Sequence, residues 1–251
     1  MRVPWVIAHR GASGHAPENT IAAFQRAIEL GAGFIETDLH LTRDAKFVAI
    51  HDLTLERTTS GRGPVHNLTL AELRELDAGK WYDREFTGEK IPTLQEVLQF
   101  SRDNDVVFYL ELKYDVAWGM HHTLIAAIRQ AENAARTIVI SFDPSTVAAV
   151  RQTDPTIMVG LLAGSGGHWV DRDPVKAAQE AGARQLCIEY SILTGELVDR
   201  AHKADLQVAT WTVNDPEQMR AAMHAGVDGI MTDLPDRLRA ILEPDPFELR
   251  A

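Results

Sequence analysis

Short runs of β-branched and aliphatic residues alternate with longer amphipathic stretches along almost the whole chain. Runs of this kind predict buried strands, and the amphipathic stretches between them predict helices. The predicted strands are 5–9, 34–39, 46–50, 106–112, 137–142, 157–162, 185–189, 207–212 and 229–233. The predicted helices include 20–30, 93–103, 119–134, 144–152, 174–181, 194–204 and 216–225. This alternation is typical of a parallel sheet with helical crossovers.

The nine predicted strands are one more than a closed (β/α)8 barrel contains. Only residues 42–45 separate the second hydrophobic stretch from the third, whereas a parallel crossover needs a dozen or more residues. We therefore expect the third strand to return antiparallel as a hairpin after the second barrel strand. The remaining eight strands predict an α/β fold of the (β/α)8 TIM-barrel class.

Residues 53–91 break the alternation with turn signals, one short helix near 69–77 and a group of aromatic side chains. They predict a small insertion that is folded over a barrel loop. We expect residues 1–251 to form one TIM-barrel domain that contains this insertion.

Composition and charge narrow the possible partners. Hydrophobic residues make up 45% of the 251 residues, which is ordinary for a globular protein with a large core. The formal net charge of −11 disfavours nucleic acid as a partner, because phosphate backbones attract clustered Lys and Arg. No run approaches the ~20 apolar residues of a membrane span, and the start shows no secretory signal. We expect a cytoplasmic protein without stable membrane insertion, and the sequence does not predict its oligomeric state.

Carboxylates lie near the ends of the second and fourth predicted strands. Glu36 and Asp38 are two residues apart, so they face the same side of one strand, and Glu111 and Lys113 repeat that spacing on another. Strand ends form the sites of such barrels, so three carboxylates would converge and repel one another. A divalent cation would relieve this repulsion, and all-oxygen ligation suits Mg²⁺, Ca²⁺ or Mn²⁺ better than Zn²⁺. A structural salt bridge is the alternative for any single carboxylate, but the set with its Lys favours a metal site.

Two histidines and an arginine follow strands that we expect to be close together. His9 and Arg10 end the first strand, and His51 follows the hairpin strand. Histidine transfers protons near neutral pH, and an arginine can bind two phosphate oxygens at once. Together with a cation, these residues suit the cleavage of a phosphate ester.

Five segments of the sequence, in this order, resemble the glycerophosphodiester phosphodiesterase family: HRGASGHAPENT, GFIETDLHLTRDAKFVAIHD, LELK, WTVN and GVDGIMTDLP. The resemblance spans residues 7–235 and implies a (β/α)8 barrel. It implies metal-dependent hydrolysis of small-molecule glycerophosphodiesters to sn-glycerol 3-phosphate and an alcohol. The residues that match the family pattern are the metal ligands Glu36, Asp38 and Glu111, the acid–base pair His9 and His51, the phosphate contacts Arg10 and Lys113, and the supporting residues Glu18 and Asn19. One divalent cation is the implied cofactor, Mg²⁺ or Ca²⁺, with Mn²⁺ as a further candidate.

Several alternatives remain open at this stage. Trp211 is predicted to contact the substrate, either its glycerol face or a choline head group, or else to fill the core. Asn19 or Thr20 could cap the first helix. The nucleophile is either the glycerol 2-hydroxyl or water, and either histidine could be the acid. Other functions are lysophospholipase D-like cleavage of lysophospholipids, with an apolar mouth built by Trp81, Tyr82 and Phe86, or phosphodiester binding without catalysis.

Overall fold

A closed barrel of eight parallel strands is the centre of the computed structural model, which describes residues 3–113, 119–169 and 171–243 apart from the side chain of His168. The sheet comprises these eight barrel strands and one further strand, β3: β1 (Trp5–Ala8), β2 (Phe34–Leu41), β3 (Phe47–Ala49), β4 (Val107–Leu112), β5 (Thr137–Ser141), β6 (Met158–Ala163), β7 (Gln185–Glu189), β8 (Gln207–Trp211) and β9 (Gly229–Thr232). Because β1 pairs in parallel with both β2 and β9, the sheet closes on itself. The predicted TIM-barrel class is confirmed.

Helices alternate with the barrel strands and pack around the outside of the barrel, apart from one short helix that lies within residues 53–91. They are α1 (Ile21–Glu29), α2 (Leu70–Arg74), α3 (Leu94–Asn104), α4 (His121–Gln130), α5 (Pro144–Thr153), α6 (Pro174–Glu180), α7 (Gly195–Lys203), α8 (Pro216–Ala225) and α9 (Pro235–Leu242). Three of them begin with an Asp-Pro pair, in which the carboxylate accepts backbone N–H groups of the first turn: Asp143, Asp173 and Asp215. In the described parts of the chain, no helix is long and apolar enough to cross a membrane.

The third strand, β3, lies outside the barrel and returns antiparallel along β2, as its short connection predicts. Leu39 pairs with Ala49, and Leu41 pairs with Phe47. Beyond this pairing, the backbone N–H of Ile50 donates to the carbonyl of Asp38 at 3.1 Å. The hairpin therefore places residue 51 next to the end of β2.

Side chains alternate along the barrel strands between the barrel interior and the layer beneath the helices. On β2, Ile35 and Leu39 pack under the helices, whereas Glu36 and Asp38 point to the other side of the strand. The interior is filled by a separate apolar cluster of Ile7, Tyr109, Ile138, Ile140, Leu162, Cys187, Ala209 and Met231. This packing fills the barrel interior beneath its mouth, and barrels of this class form their active sites where the strands end.

The insertion, residues 53–91, has an apolar cluster of its own. Leu55, Val65 and Leu73 are almost fully buried in it, together with Val48 and Ile50 from the hairpin strand and its continuation. This shared cluster attaches the insertion to β3. The aromatic side chains of the insertion are not part of this cluster. They contact one another with ring centroids 5.7 Å apart: Trp81 with Tyr82, and Tyr82 with Phe86.

Two helices differ from their predicted bounds by more than one residue, and a third was not among the predicted helices. The helix predicted near 69–77 is only α2, since the carboxylate of Asp77 accepts the N–H groups of Gly79 and Lys80 and turns the chain away. The stretch predicted as 119–134 ends at Gln130, because Glu132 takes the left-handed conformation with φ 53°. The last helix, α9, was absent from the predicted set.

Candidate active site

The carboxyl ends of the barrel strands surround a cavity of about 150 Å³. One side of it is polar and carries the residues that the sequence singles out. The opposite side is apolar and is formed by Ile140, Phe142, Leu162, Trp211 and Met231. The polar lining residues are His9, Arg10, Glu36, His51, Glu111, Lys113 and Thr212.

Three carboxylates meet at the polar side, as predicted. Glu36 and Asp38 are each 1% exposed and Glu111 is 8% exposed. One oxygen of each lies within 4.8 Å of the others. The strand register explains this, because β2 and β4 are paired so that Asp38 lies opposite Glu111.

Several oxygens of this triad already have cationic or amide partners. The ammonium of Lys113 lies 2.6 Å from Asp38 Oδ1 and 2.7 Å from Glu111 Oε1. The backbone N–H of Arg10 donates to Glu36 Oε2 at 2.9 Å. The other oxygen of Glu36, Oε1, is buried and has no hydrogen-bond partner among the described residues. A buried set of oxygen donors with one unsatisfied acceptor fits a hard divalent cation.

Burial and mutual repulsion shift the acidities in the triad. Burial, together with the charges of Asp38 and Glu111, raises the pKa of Glu36 well above its ordinary value. Burial also raises the pKa of Glu111, and Lys113 only partly offsets it. For Asp38, burial is outweighed by Lys113 and Arg10, so its pKa lies below the ordinary value. Without further positive charge, the pocket therefore disfavours full ionisation of the triad.

The first histidine is bound to a carboxylate from the far end of the chain. His9 Nδ1 lies 2.6 Å from Asp233 Oδ1, and His9 Nε2 lies 4.0 Å from Glu36 Oε2. The carboxylate of Asp233 also accepts from Ser13 Oγ at 2.9 Å and from Asn214 Nδ2 at 2.6 Å. Burial raises the pKa of Asp233, but these hydrogen bonds outweigh it and lower the pKa to about 2. Asp233 is therefore ionised at neutral pH and fixes the ring of His9.

The second histidine is arranged in the same way by a neighbouring residue. His51 Nδ1 lies 2.8 Å from Asp52 Oδ1, and the carbonyl of His51 accepts from His40 Nε2 at 2.9 Å. Burial lowers the pKa of the His51 ring, and the nearby charges of Lys113 and Arg10 lower it further against the opposing effect of Asp38. The ring is therefore biased towards its neutral form, which can accept a proton.

The predicted supporting residues lie directly behind the polar side. Asn19 is buried, and it donates to Asp38 Oδ2 at 2.8 Å while accepting from Thr37 Oγ1 at 2.7 Å. It therefore orients Asp38, and the helix cap is supplied by Thr20, which accepts from the N–H of Ala23. Glu18 accepts from Arg10 Nη1 at 2.9 Å.

The guanidinium of Arg10 contacts two carboxylates. Its Nε lies 3.3 Å from Asp38 Oδ2, in addition to its contact with Glu18. Burial lowers the pKa of the guanidinium, but the charges of Asp38, Glu18 and Glu36 outweigh it and raise the pKa. For Lys113, burial is likewise outweighed by Asp38 and Glu111, so its pKa is also raised. Both side chains carry full positive charge at the cavity.

Trp211 belongs to the cavity wall and is half-buried. Its indole N–H donates to the carbonyl of Cys187 at 3.0 Å, and its ring makes an edge contact with Phe142 at a centroid distance of 5.6 Å. The indole is therefore fixed while part of its surface faces the cavity. The aromatic group Trp81, Tyr82 and Phe86 is not among the residues that line it.

Several residues that hold the candidate site residues in place were not among the predicted ones: Asp52, Asn214, Asp233 and Arg57. Asp233 and Asn214 belong to the matched segments GVDGIMTDLP and WTVN, and Asp233 directly follows the last strand. Closure of the barrel between β1 and β9 brings the end of β9 next to His9. Once a barrel is assumed, the position of Asp233 after the last strand therefore indicates that it lies near His9. Arg57, which binds Asp52 and Glu18, gave no such signal.

Comparisons with known proteins identify related sequences and structures. The sequence profile of the Glycerophosphoryl diester phosphodiesterase family matches residues 9–237. A glycerophosphodiester phosphodiesterase of Caldanaerobacter subterraneus is 41% identical over 235 residues, which cover 93% of this chain and 95% of the relative.

Two solved structures are similar over nearly their whole length. A glycerophosphodiester phosphodiesterase from Agrobacterium tumefaciens has a TM-score of 0.81 at 29% identity, with 94% of this chain and 99% of that chain covered. An Oleispira antarctica phosphodiesterase, solved in complex with the product sn-glycerol-3-phosphate, has a TM-score of 0.84 at 29% identity, with 96% and 98% covered.

Proposed function

The chain belongs to the glycerophosphoryl diester phosphodiesterase family, and we propose that it hydrolyses glycerophosphodiesters to sn-glycerol 3-phosphate and an alcohol. One observation carries this proposal: a buried carboxylate triad shares a cavity with two histidines that are each bound to an aspartate. Such a cavity supplies ligands for a cation and two groups for proton transfer, which suit the hydrolysis of a phosphodiester. The product named for the similar Oleispira enzyme supports the same product here.

Glu36, Asp38 and Glu111 are the proposed ligands of one divalent cation, Mg²⁺ or Ca²⁺, with Mn²⁺ also compatible. The buried and unsatisfied Oε1 of Glu36 supports this assignment. When bound, the cation would supply positive charge at the phosphate and act as a Lewis acid there. Asn19 keeps Asp38 in place through its 2.8 Å hydrogen bond, so the ligand set is organised before anything binds.

His9 and His51 are the proposed acid–base pair. Each ring has Nδ1 bound to an aspartate, which leaves Nε2 for proton transfer. One histidine accepts the proton of the attacking hydroxyl as the new P–O bond forms. The other, protonated, donates its proton to the leaving alcohol oxygen as the old P–O bond breaks. The attacking hydroxyl is either the glycerol 2-hydroxyl, followed by hydrolysis of a cyclic phosphate, or water.

Arg10 and Lys113 are the proposed phosphate contacts. Both line the cavity and both are kept charged by the surrounding carboxylates. Their hydrogen bonds to Glu18, Asp38 and Glu111 hold the cationic groups at the polar side. Charge placed there before substrate binds stabilises the negative phosphate without reorganisation during the reaction.

Trp211 is proposed to contact the carbon atoms of the substrate. It forms the apolar side of the cavity with Phe142, Leu162 and Met231, and that side would cover either a glycerol or a head group. The cavity is small and the aromatic residues of the insertion do not line it, so small glycerophosphodiesters suit it better than lysophospholipids.

A panel of substrates tests this function. Purified protein is incubated with glycerophosphocholine, glycerophosphoethanolamine and lysophosphatidylcholine, and both released sn-glycerol 3-phosphate and released choline are measured by coupled assays. We expect release from the first two, and a loss of about 10²–10⁴-fold in His9→Ala and in His51→Ala. His15→Ala is the matched control, because His15 also binds an aspartate, Asp236, but does not line the cavity.

Binding of these diesters without product would instead support a barrel that binds phosphodiesters without catalysis. Preferential cleavage of lysophosphatidylcholine to choline would support the lysophospholipase D-like alternative. The cytoplasmic location stays a prediction, and cell fractionation tests it.

A further inference from the structure

Arg57 belongs to the insertion and lies outside the cavity, yet it joins two residues that each bind a different side chain of the cavity. Its guanidinium donates to Asp52 from Nε at 2.7 Å and from Nη2 at 2.9 Å. It also donates to Glu18 from Nη1 at 2.6 Å and from Nη2 at 2.9 Å. One planar group therefore binds two carboxylates, each through two hydrogen bonds.

Each of these carboxylates has a second partner in the cavity. Asp52 Oδ1 is bound to His51 Nδ1 at 2.8 Å, and Glu18 Oε1 accepts from Arg10 Nη1 at 2.9 Å. The result is a continuous series of groups from the ring of His51 through Asp52, Arg57 and Glu18 to Arg10. Positive and negative charges alternate along it, so removing the central cation leaves two carboxylates facing each other.

We propose that Arg57 is a positioning residue that fixes His51 and Arg10 relative to each other by clamping Asp52 and Glu18. The inference rests on the proposed function, since it assigns to Arg57 the placement of a proton-transfer group and a phosphate contact. It also gives the insertion a role in the reaction, because the insertion supplies the clamp.

The competing interpretation is that Arg57 only attaches the insertion to the barrel. The insertion does not require Arg57 for its attachment, because Leu55, Val65 and Leu73 are almost fully buried and already hold it against β3. Arg57 is 43% exposed and adds little apolar burial. Its hydrogen bonds therefore contribute mainly to the orientation of the two carboxylates.

Arg74 provides a matched control within the same insertion. It forms a two-point ion pair with Glu96, at 2.8 and 2.9 Å, and its side chain is 35% exposed. Its partner Glu96 lies at the start of α3 and does not line the cavity. Loss of Arg74 therefore removes a comparable ion pair without touching the groups that support His51 or Arg10.

The test compares Arg57→Ala, Arg57→Lys and Arg74→Ala in the glycerophosphocholine assay, with thermal unfolding measured in parallel. Displacement of a reacting group by about 1 Å can cost about 10²-fold in rate, so we expect kcat of Arg57→Ala to fall by about 30–100-fold. Arg57→Lys is expected to recover part of the loss, because an ammonium keeps the charge but cannot bind both carboxylates as a fork. Arg74→Ala is expected to keep kcat within about twofold of wild type, since exposed ion pairs contribute little.

Added guanidinium separates positioning from attachment. The Arg57 site is open to solvent, so guanidinium chloride at low millimolar concentration is expected to restore part of the kcat of Arg57→Ala, whereas equal sodium chloride is not. A folded Arg57→Ala protein with wild-type kcat would overturn the inference. So would a loss that neither guanidinium nor Arg57→Lys reverses, or an equal loss in Arg74→Ala.

If Arg57→Ala does not fold, Arg57→Lys decides alone: a kcat about 5–10-fold below wild type is expected from imperfect positioning, and wild-type kcat would overturn the inference. Inactive wild-type protein would instead contradict the proposed function, so the two failures are distinguishable.

Discussion

At the scale of single residues, the two proposed proton-transfer histidines are held in the same way, each by an aspartate, but the two aspartates have different partners. Each histidine has Nδ1 bound to an aspartate, at 2.6 Å for His9 and 2.8 Å for His51. Asp233 is held by a hydroxyl and an amide, whereas Asp52 is held by the guanidinium of Arg57. The supports therefore differ in charge, and the two histidines should respond differently to loss of their aspartate.

We predict that Asp233→Asn lowers kcat by about 10²-fold, because an amide can donate to Nδ1 and stabilise the wrong tautomer of His9. The KM for glycerophosphocholine should change much less, since Asp233 does not line the cavity. Steady-state kinetics of the purified variant measures both. Asp236→Asn is the control, because Asp236 binds His15 Nε2 at 2.8 Å outside the cavity. Equal losses in the two variants, or none in Asp233→Asn, would contradict this role.

At the scale of secondary-structure elements, the site depends on how β1, β2 and the hairpin strand end. Alternation along β2 turns Glu36 and Asp38 away from the helix layer, and its register with β4 adds Glu111. Because the side-chain period is two, a shift by one residue would turn these carboxylates to the other face. The same alternation is visible in the sequence, and together with the position of these residues near strand ends it made the triad predictable once the barrel was assumed.

Helix ends were less predictable than strands, for local reasons. The stretch after Gln130 contains Ala and Arg, which favour helix, but the backbone turns left-handed at Glu132 and a 3₁₀ turn follows at Ala134–Arg136. After α2, the side chain of Asp77 accepts the backbone N–H groups of Gly79 and Lys80, and a turn forms there in place of further helix. Such side-chain competition leaves no periodic signal in the sequence.

The loop between β1 and α1 gives a prediction at this scale. Gly11 has φ +80°, and a Cβ added there would lie 2.6 Å from the backbone carbon of Ala23 in α1. We predict that Gly11→Ala lowers the free energy of unfolding by about 1–3 kcal/mol, because the loop must move away from α1. Activity should fall too, since His9 and Arg10 directly precede the glycine.

Urea unfolding of the purified variant measures the change. Gly33→Ala is the control, because a Cβ there meets no atom within 4 Å and the φ of Gly33 is not in the left-handed region. Wild-type stability in Gly11→Ala would show that the close packing of this loop on α1 is not required.

At the scale of the whole molecule, barrel closure decides which residues meet. His9 and Asp233 are 224 positions apart in sequence, and they touch because β1 pairs with β9. The sequence pattern predicted the barrel and the residues His9, His51, Glu36, Asp38 and Glu111 at its mouth. It did not predict the contacts of Asp233 or Arg57, since these depend on three-dimensional closure and on the path of the insertion rather than on spacing along one strand.

The central claim is that the buried triad binds a divalent cation that the reaction requires. The most direct test follows glycerophosphocholine by ³¹P NMR, which avoids coupling enzymes, with protein that has been treated with EDTA and then dialysed. We predict a loss of more than about 100-fold in the rate, because a bound cation contributes several kcal/mol of charge stabilisation.

Adding Mg²⁺ or Ca²⁺ should restore the rate in wild type but not in Glu111→Gln, and an equal ionic strength of Na⁺ should have no effect. An undiminished rate in metal-free protein, or equal restoration in the variant, would contradict the account.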